Sequence, residues 1–114
     1  MTPPGRRDDD RDGTLAAFHE AVNMTAGELE KWLGSEESRG AGQSDGGESV
    51  GHASGRRIVE LLRTKKSQLG DDDIAHMRKV VGYVRRHVAQ RPGGDVSDTR
   101  WRHSLMNWGH DPLK

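Results

Sequence analysis

The chain has 114 residues, no formal net charge, 31% hydrophobic and 32% charged residues, and no cysteine. That length holds one small domain with a modest core, and it excludes disulfides and thiolate metal sites. No apolar run approaches the roughly 20 residues of a membrane span and the N-terminus has no apolar signal core, so a cytoplasmic protein is expected.

Residues 1–13 hold Pro3, Pro4, Gly5 and a mixed Arg/Asp run without apolar periodicity. They are expected to form a disordered tail ahead of one helical domain over 14–114. From Thr14, Leu15, Phe18 and Val22 recur at helical spacing until Asn23 and Met24 interrupt. Thr25 and Glu28 have the spacing of a capping box, opening a helix with Leu29, Trp32 and Leu33 on one face and Gly34 at its end. Residues 34–53 are mostly Gly, Ser and Glu and read as a flexible glycine-rich loop, of a length that marks it as mobile or functional.

A third helix is expected from about Gly55 to Lys66, with Ser54 as its N-cap and Lys65 and Lys66 at the end that favours cations. Asp71, Asp72 and Asp73 then open the strongest helical pattern. Ile74, Met77, Val81, Val84 and Val88 form an apolar stripe about 24 Å long at 1.5 Å per residue, and Pro92-Gly93-Gly94 stops it. A short helix near Thr99–Asn107 sets Trp101, Leu105 and Trp108 to one side, where they fill core volume, and Gly109 ends it. No strand-like alternation occurs, so the fold reads as an all-α single domain of four to five helices.

The zero net charge hides an asymmetry. Residues 1–50 carry 5 Lys/Arg against 11 Asp/Glu, and residues 51–114 carry 13 against 7. A basic half points to nucleic acid, although the two halves neutralising each other within one fold accounts for it equally. The block Gly47–Arg57, GESVGHASGRR, feeds small residues into a helix start and puts Arg56 and Arg57 in its first turn. Arginine there opposes the helix dipole, so an anionic partner, phosphate or a carboxylate of the same chain, is expected. On the long helix, Arg78, Lys79, Arg85 and Arg86 fall off the apolar stripe, with Arg91 just beyond. Arg56, Arg57, Arg78, Lys79, Arg85 and Arg86 are therefore the candidate nucleic-acid-binding residues. The turn Ser67–Gly70 has about the length of a helix-turn-helix connection.

Other chemistry finds little support. The six histidines, His19, His52, His76, His87, His103 and His110, show no zinc-type pairing, so no metal is expected. His52 and His110 stand out because each lies in a short polar segment containing glycine. Gly40–Gly46 lacks the strand and spacing of a dinucleotide loop, and no P-loop is present. Ser49 or Ser54 with His52 and Glu48 could supply a nucleophile, base and orienter. They lie too close in sequence to converge and lack a nucleophile elbow. Neither a catalytic residue nor a cofactor is expected.

The strings NMTAGELEKWL, GESVGHASGRRIVELL, HMRKVVGYVRRHVAQRP and SLMNWGHDPLK resemble the domain-of-unknown-function family thirty-one-forty, small bacterial proteins of which some carry the label "DNA-binding protein". The resemblance spans about residues 14–114 and implies DNA binding as a family label, without catalytic residues to carry over. With the charge pattern, it leads to the expectation of a DNA-binding protein that contacts the phosphate backbone and has little sequence readout. The alternative is a protein-interaction or stress-associated module whose basic face docks an acidic partner.

Overall fold

In a computed structural model, helix boundaries follow from local chemistry at several points. The Thr25 N–H donates to Glu28 Oε1 at 2.9 Å and the Glu28 N–H donates back to Thr25 Oγ1 at 3.1 Å, closing the expected capping box. Thr99 Oγ1 accepts from the Arg102 N–H and starts the last helix. The Asp73 carboxylate accepts from the Gly70 N–H at 2.9 Å and opens the longest one. The structure describes residues 5–41 and 50–114, leaving aside the side chains of 5–10 and 41. Over these residues there are six α-helices: α1 Gly5–Ala21, α2 Ala26–Leu33, α3 Glu36–Ala41, α4 Val50–Leu62, α5 Asp71–Val88 and α6 Arg100–Asn107. A 3-10 turn at Lys66–Gln68 lies between α4 and α5, and no strand occurs among the described residues. The fold is all-α, as the periodicity requires.

The helices pack mainly in pairs. α1 lies along α5, α2 along α4 and α3 along α6, while α6 also touches α2, α4 and α5. Phe18, Leu29, Ile58, Val80 and Leu105 are fully buried where these pairs meet. Burying such a side chain stabilises by roughly 1.5–3 kcal/mol before chain entropy is subtracted, so a core this small relies on contact among all the pairs. On α5 the buried stripe is Ile74, Met77, Val80, Val81 and Val84. Val88, expected on that stripe, is 38% exposed because the helix ends there.

Three elements differ from the sequence reading. α1 begins at Gly5 rather than near Thr14, so the segment read as a tail is helical from residue 5, while residues 1–4 lie outside the described residues. Arg11 anchors this extension by donating to the Leu69 carbonyl, and Asp12 pairs with Lys66 at 2.9 Å. α3 forms inside the segment read as a glycine-rich loop. It lacks an apolar period but buries Ser38, which bonds to Asn107 of α6. Residues 42–49 of that segment, including most of Gly40–Gly46 together with Glu48 and Ser49, lie outside the described residues. α4 starts at Val50, five residues ahead of Gly55, and stops at Leu62, short of Lys65 and Lys66. The connection to α5 is accordingly eight residues with its own 3-10 turn, longer than the 3–4-residue turn of a helix-turn-helix.

The C-terminal block is docked along the α1–α2 junction. Asn23 receives the Asp111 N–H at 2.7 Å and donates to the Asp111 carbonyl at 2.9 Å. Arg102 grips the Asp111 carboxylate through Nε and Nη2, both at 3.1 Å. Burial alone would raise that carboxyl, but the Arg102 hydrogen bonds win and its pKa is lowered. Lys114 Nζ reaches Glu28 at 2.6 Å and, with the capping-box hydrogen bonds from Thr25, holds that carboxyl down to about 2. Gly109 makes the bend before this tail at φ +81°, and a Cβ there would lie 2.9 Å from Val22 Cγ1. Both the left-handed backbone and the space call for glycine.

Candidate functional site

α5 is amphipathic, and its outward face carries charge in two blocks. Asp71 and Asp72 sit in the first turn, and Arg78, Lys79, Arg85 and Arg86 follow along the rest, all exposed. Acid first and base last agrees with the helix macrodipole. At 3.6 residues per turn, positions 78, 79, 85 and 86 share one side, and 1.5 Å per residue spreads them over about 12 Å. Gly82 lies at their centre. Arg78 Nε donates to Thr14 Oγ1 at 3.2 Å, which leans that side chain toward α1. Lys79, Arg85 and Arg86 form no ion pair with a carboxylate among the described residues. Four of the six predicted contact residues are thus brought together on one face.

The other two are placed differently. Because α4 starts at Val50, Arg56 and Arg57 fall in its second turn rather than at an anion-binding N-terminus. Arg57 Nη2 bonds Asp73 Oδ1 at 3.2 Å, so its anionic partner is a carboxylate of the same chain. Arg56 lies in a cleft of about 400 Å³ between α2 and α4, over Leu33 and Val59, together with Glu30, Glu60 and Arg63. Arg63 pairs there with Glu30 at 2.8 Å. Charges of both signs interleave in that cleft, unlike the face of α5.

The small residues before the arginines serve packing. Ser54 and Gly55 are buried, and a Cβ on Gly55 would come within 2.5 Å of the Asn107 carbonyl and 2.7 Å of Leu33 Cδ2. A Cβ on Gly51 would approach Trp108 Nε1 at 3.2 Å. This strip lets α4 press against the end of α6. Ser54, expected as an N-cap, is interior to the helix and its Oγ lies 3.0 Å from His76 Nε2. Of the two serines suggested for a Ser–His–acid set, Ser54 therefore meets His76, and Ser49 lies outside the described residues.

His52 and His110 each bond to a carbonyl at a helix end. His52 Nε2 donates to the Leu33 carbonyl, the last residue of α2, at 2.7 Å, and His110 Nδ1 donates to the Ala21 carbonyl, the last of α1, at the same distance. Helix C-termini leave such carbonyls without intrahelical partners, so these histidines cap them from a distance in sequence. His76 and His87 belong to a run of rings between α5 and α6. Tyr83 stacks on Trp108 at 4.2 Å and on His87 at 5.1 Å, His76 lies 6.4 Å from Trp108, and Arg91 covers the outer face of Trp101 at 5.5 Å. Trp101 Nε1 donates to the His87 carbonyl at 2.7 Å. Burial lowers the pKa of both imidazoles, and Arg57 and Lys79 push His76 further down. Among the described residues no group of three His, Asp or Glu side chains is placed to hold a metal, and no helix is long and apolar enough to cross a membrane.

What sequence reasoning missed is the role of Asn107. It is buried, accepts from Trp32 Nε1 at 2.8 Å and from Ser38 Oγ, and donates to the Ser38 carbonyl at 2.9 Å, tying α2, α3 and α6 together. Its helical neighbours Arg100, His103 and Ser104 are polar, so the sequence carried no signal for its burial. A family model described as "Protein of unknown function (DUF3140)" matches residues 17–106, from within α1 to the last turn of α6. No curated protein and no solved structure matches the chain.

Proposed function

Since the chain belongs to this family of unknown function, DUF3140, we propose, from its own surface, that it binds DNA through backbone phosphates, with the outward face of α5 as the contact. The supporting observation is that Arg78, Lys79, Arg85 and Arg86 are exposed together along about 12 Å of one helix. Phosphates repeat every few ångströms along a duplex, so a row of this length can engage two or three of them. Guanidinium groups suit the task because they give paired hydrogen bonds to phosphate oxygens. Contacts of this kind fix position without reading base edges, so duplexes of different sequence bind alike. Arg56 and Arg57 are peripheral in this reading, since Arg57 is committed to Asp73 and Arg56 sits among carboxylates.

The experiment is a salt titration of binding to a short duplex by fluorescence anisotropy. Affinity falls with salt at a slope of about 0.9 per phosphate neutralised, so Arg85→Ala with Arg86→Ala lowers the slope by about 0.9 where the two share one phosphate and by about 1.8 where each holds its own. Both side chains are exposed, so folding changes by no more than about 0.5 kcal/mol. A slope that stays unchanged in the double variant removes α5 as the interface. Absence of duplex binding by the wild type leaves the basic face as a docking surface for an acidic protein.

A further inference from the structure

We infer that Gly82 and the four cations around it form a seat for a single phosphate group, an inference that rests on the proposed binding face and gives it a centre. On an α-helix the nearest surface neighbours of any position are i−4, i−3, i+3 and i+4, with Cβ atoms about 5–6 Å away. For Gly82 these are Arg78, Lys79, Arg85 and Arg86, so every such neighbour is cationic and all four are exposed. Gly82 puts no side chain at their midpoint, and the Arg86 guanidinium lies over it. A side chain at 82 would occupy the space between them, whereas glycine lets an anion sink toward the helix and meet several cations at once.

Neither the backbone nor the core gives position 82 a reason to be glycine. Its φ is not positive, and a Cβ there would meet only the Arg86 side chain, with Nη1 at 3.1 Å, and no core atom. Glycine is also the poorest helix former after proline, and here it stands in the middle of an 18-residue helix. Gly51 and Gly55 differ, because α6 occupies the space their side chains would need. The Arg86 guanidinium already lies over Gly82, where it would be among the first groups to meet an incoming phosphate. The recognised group is a phosphate, carried either by the backbone of duplex DNA or by a short free polyphosphate.

Gly82→Ala tests the seat while keeping every charge. The wild type and this variant are titrated at one ionic strength with a 20-base-pair duplex, on the order of two turns, and separately with sodium tripolyphosphate, and their melting temperatures are compared. The seat predicts a higher melting temperature in the variant together with about tenfold weaker duplex binding, the loss of roughly one charge-assisted contact. Equal duplex affinity in the two proteins overturns the seat and leaves the binding face standing. Tripolyphosphate binding that the variant loses, without duplex binding by the wild type, supports the seat and overturns the DNA reading. Binding of neither probe by the wild type overturns both.

Discussion

Two stretches of this chain set glycine among arginines, and the fold uses them in opposite ways. In α4, Gly51 and Gly55 face inward under Asn107 and Trp108, and Arg57 is tied to Asp73. In α5, Gly82 faces outward among cations without carboxylate partners among the described residues. Composition alone does not separate the two cases. What separates them is the phase of the glycine relative to the apolar stripe: Gly55 shares a face with Ile58 and Val59, while Gly82 lies opposite Val80 and Val84. The same residue is a packing device on one side of a helix and a gap in the surface on the other.

The largest expected effect comes from breaking the inward case. Gly55→Ala places a methyl 2.5 Å from the Asn107 carbonyl oxygen, a backbone atom that cannot swing away. Overpacking of this kind costs about 2–3 kcal/mol, and a urea denaturation midpoint measures it. Stability unchanged by this substitution would mean that α4 and α6 do not meet as described. A smaller effect follows acidification. His76 and His87 have pKa values lowered from 6.5 chiefly by burial, so the unfolded chain takes up protons there before the native one does. Their contribution to stability is complete above pH 6.5 and is lost as pH falls from 6.5 through the lowered native values. His87→Phe, which keeps a ring in the stack, flattens that decline in melts run across the range, and an unaltered pH profile would count against it. The smallest effect has the reverse sign. Gly82→Ala stabilises the native state by up to about 1 kcal/mol, because nothing but a flexible arginine tip opposes the methyl. Opposite signs at positions 55 and 82 would sharpen the contrast, and like signs would erase it.

Where a helix announces itself through an apolar period and a cap, the sequence is readable. α2, α5 and α6 follow from Thr25–Glu28, from the Asp71–Val84 stripe and from Thr99. α3 and the first turn of α4 are not legible, because Glu, Ser and Gly dominate α3 and Val50-Gly51-His52-Ala53 carries neither a cap nor an apolar period. Ser38 is held in α3 by Asn107, 69 residues away, and the glycines of α4 are held by the tryptophan end of α6. Tertiary contact overrides propensity at both places. For the candidate site, the four cations of α5 could be assigned to one exposed face from spacing alone. Arg57 could not, because its partner Asp73 lies 16 residues downstream on another helix. His52 and His110 stand out in the sequence for their glycine-containing polar segments, but their role does not, because each donates to a carbonyl at the end of a helix remote in sequence.

The placement of the three tryptophans has a practical consequence. Trp101 and Trp108 belong to α6 and its cap, and Trp32 is bonded to Asn107 of the same helix. Intrinsic fluorescence of this protein therefore reports on the seating of one helix, while the α1–α5 pair contributes no indole. Far-ultraviolet circular dichroism samples all six helices, so release of α6 ahead of global unfolding would be seen as an emission change that precedes the loss of ellipticity.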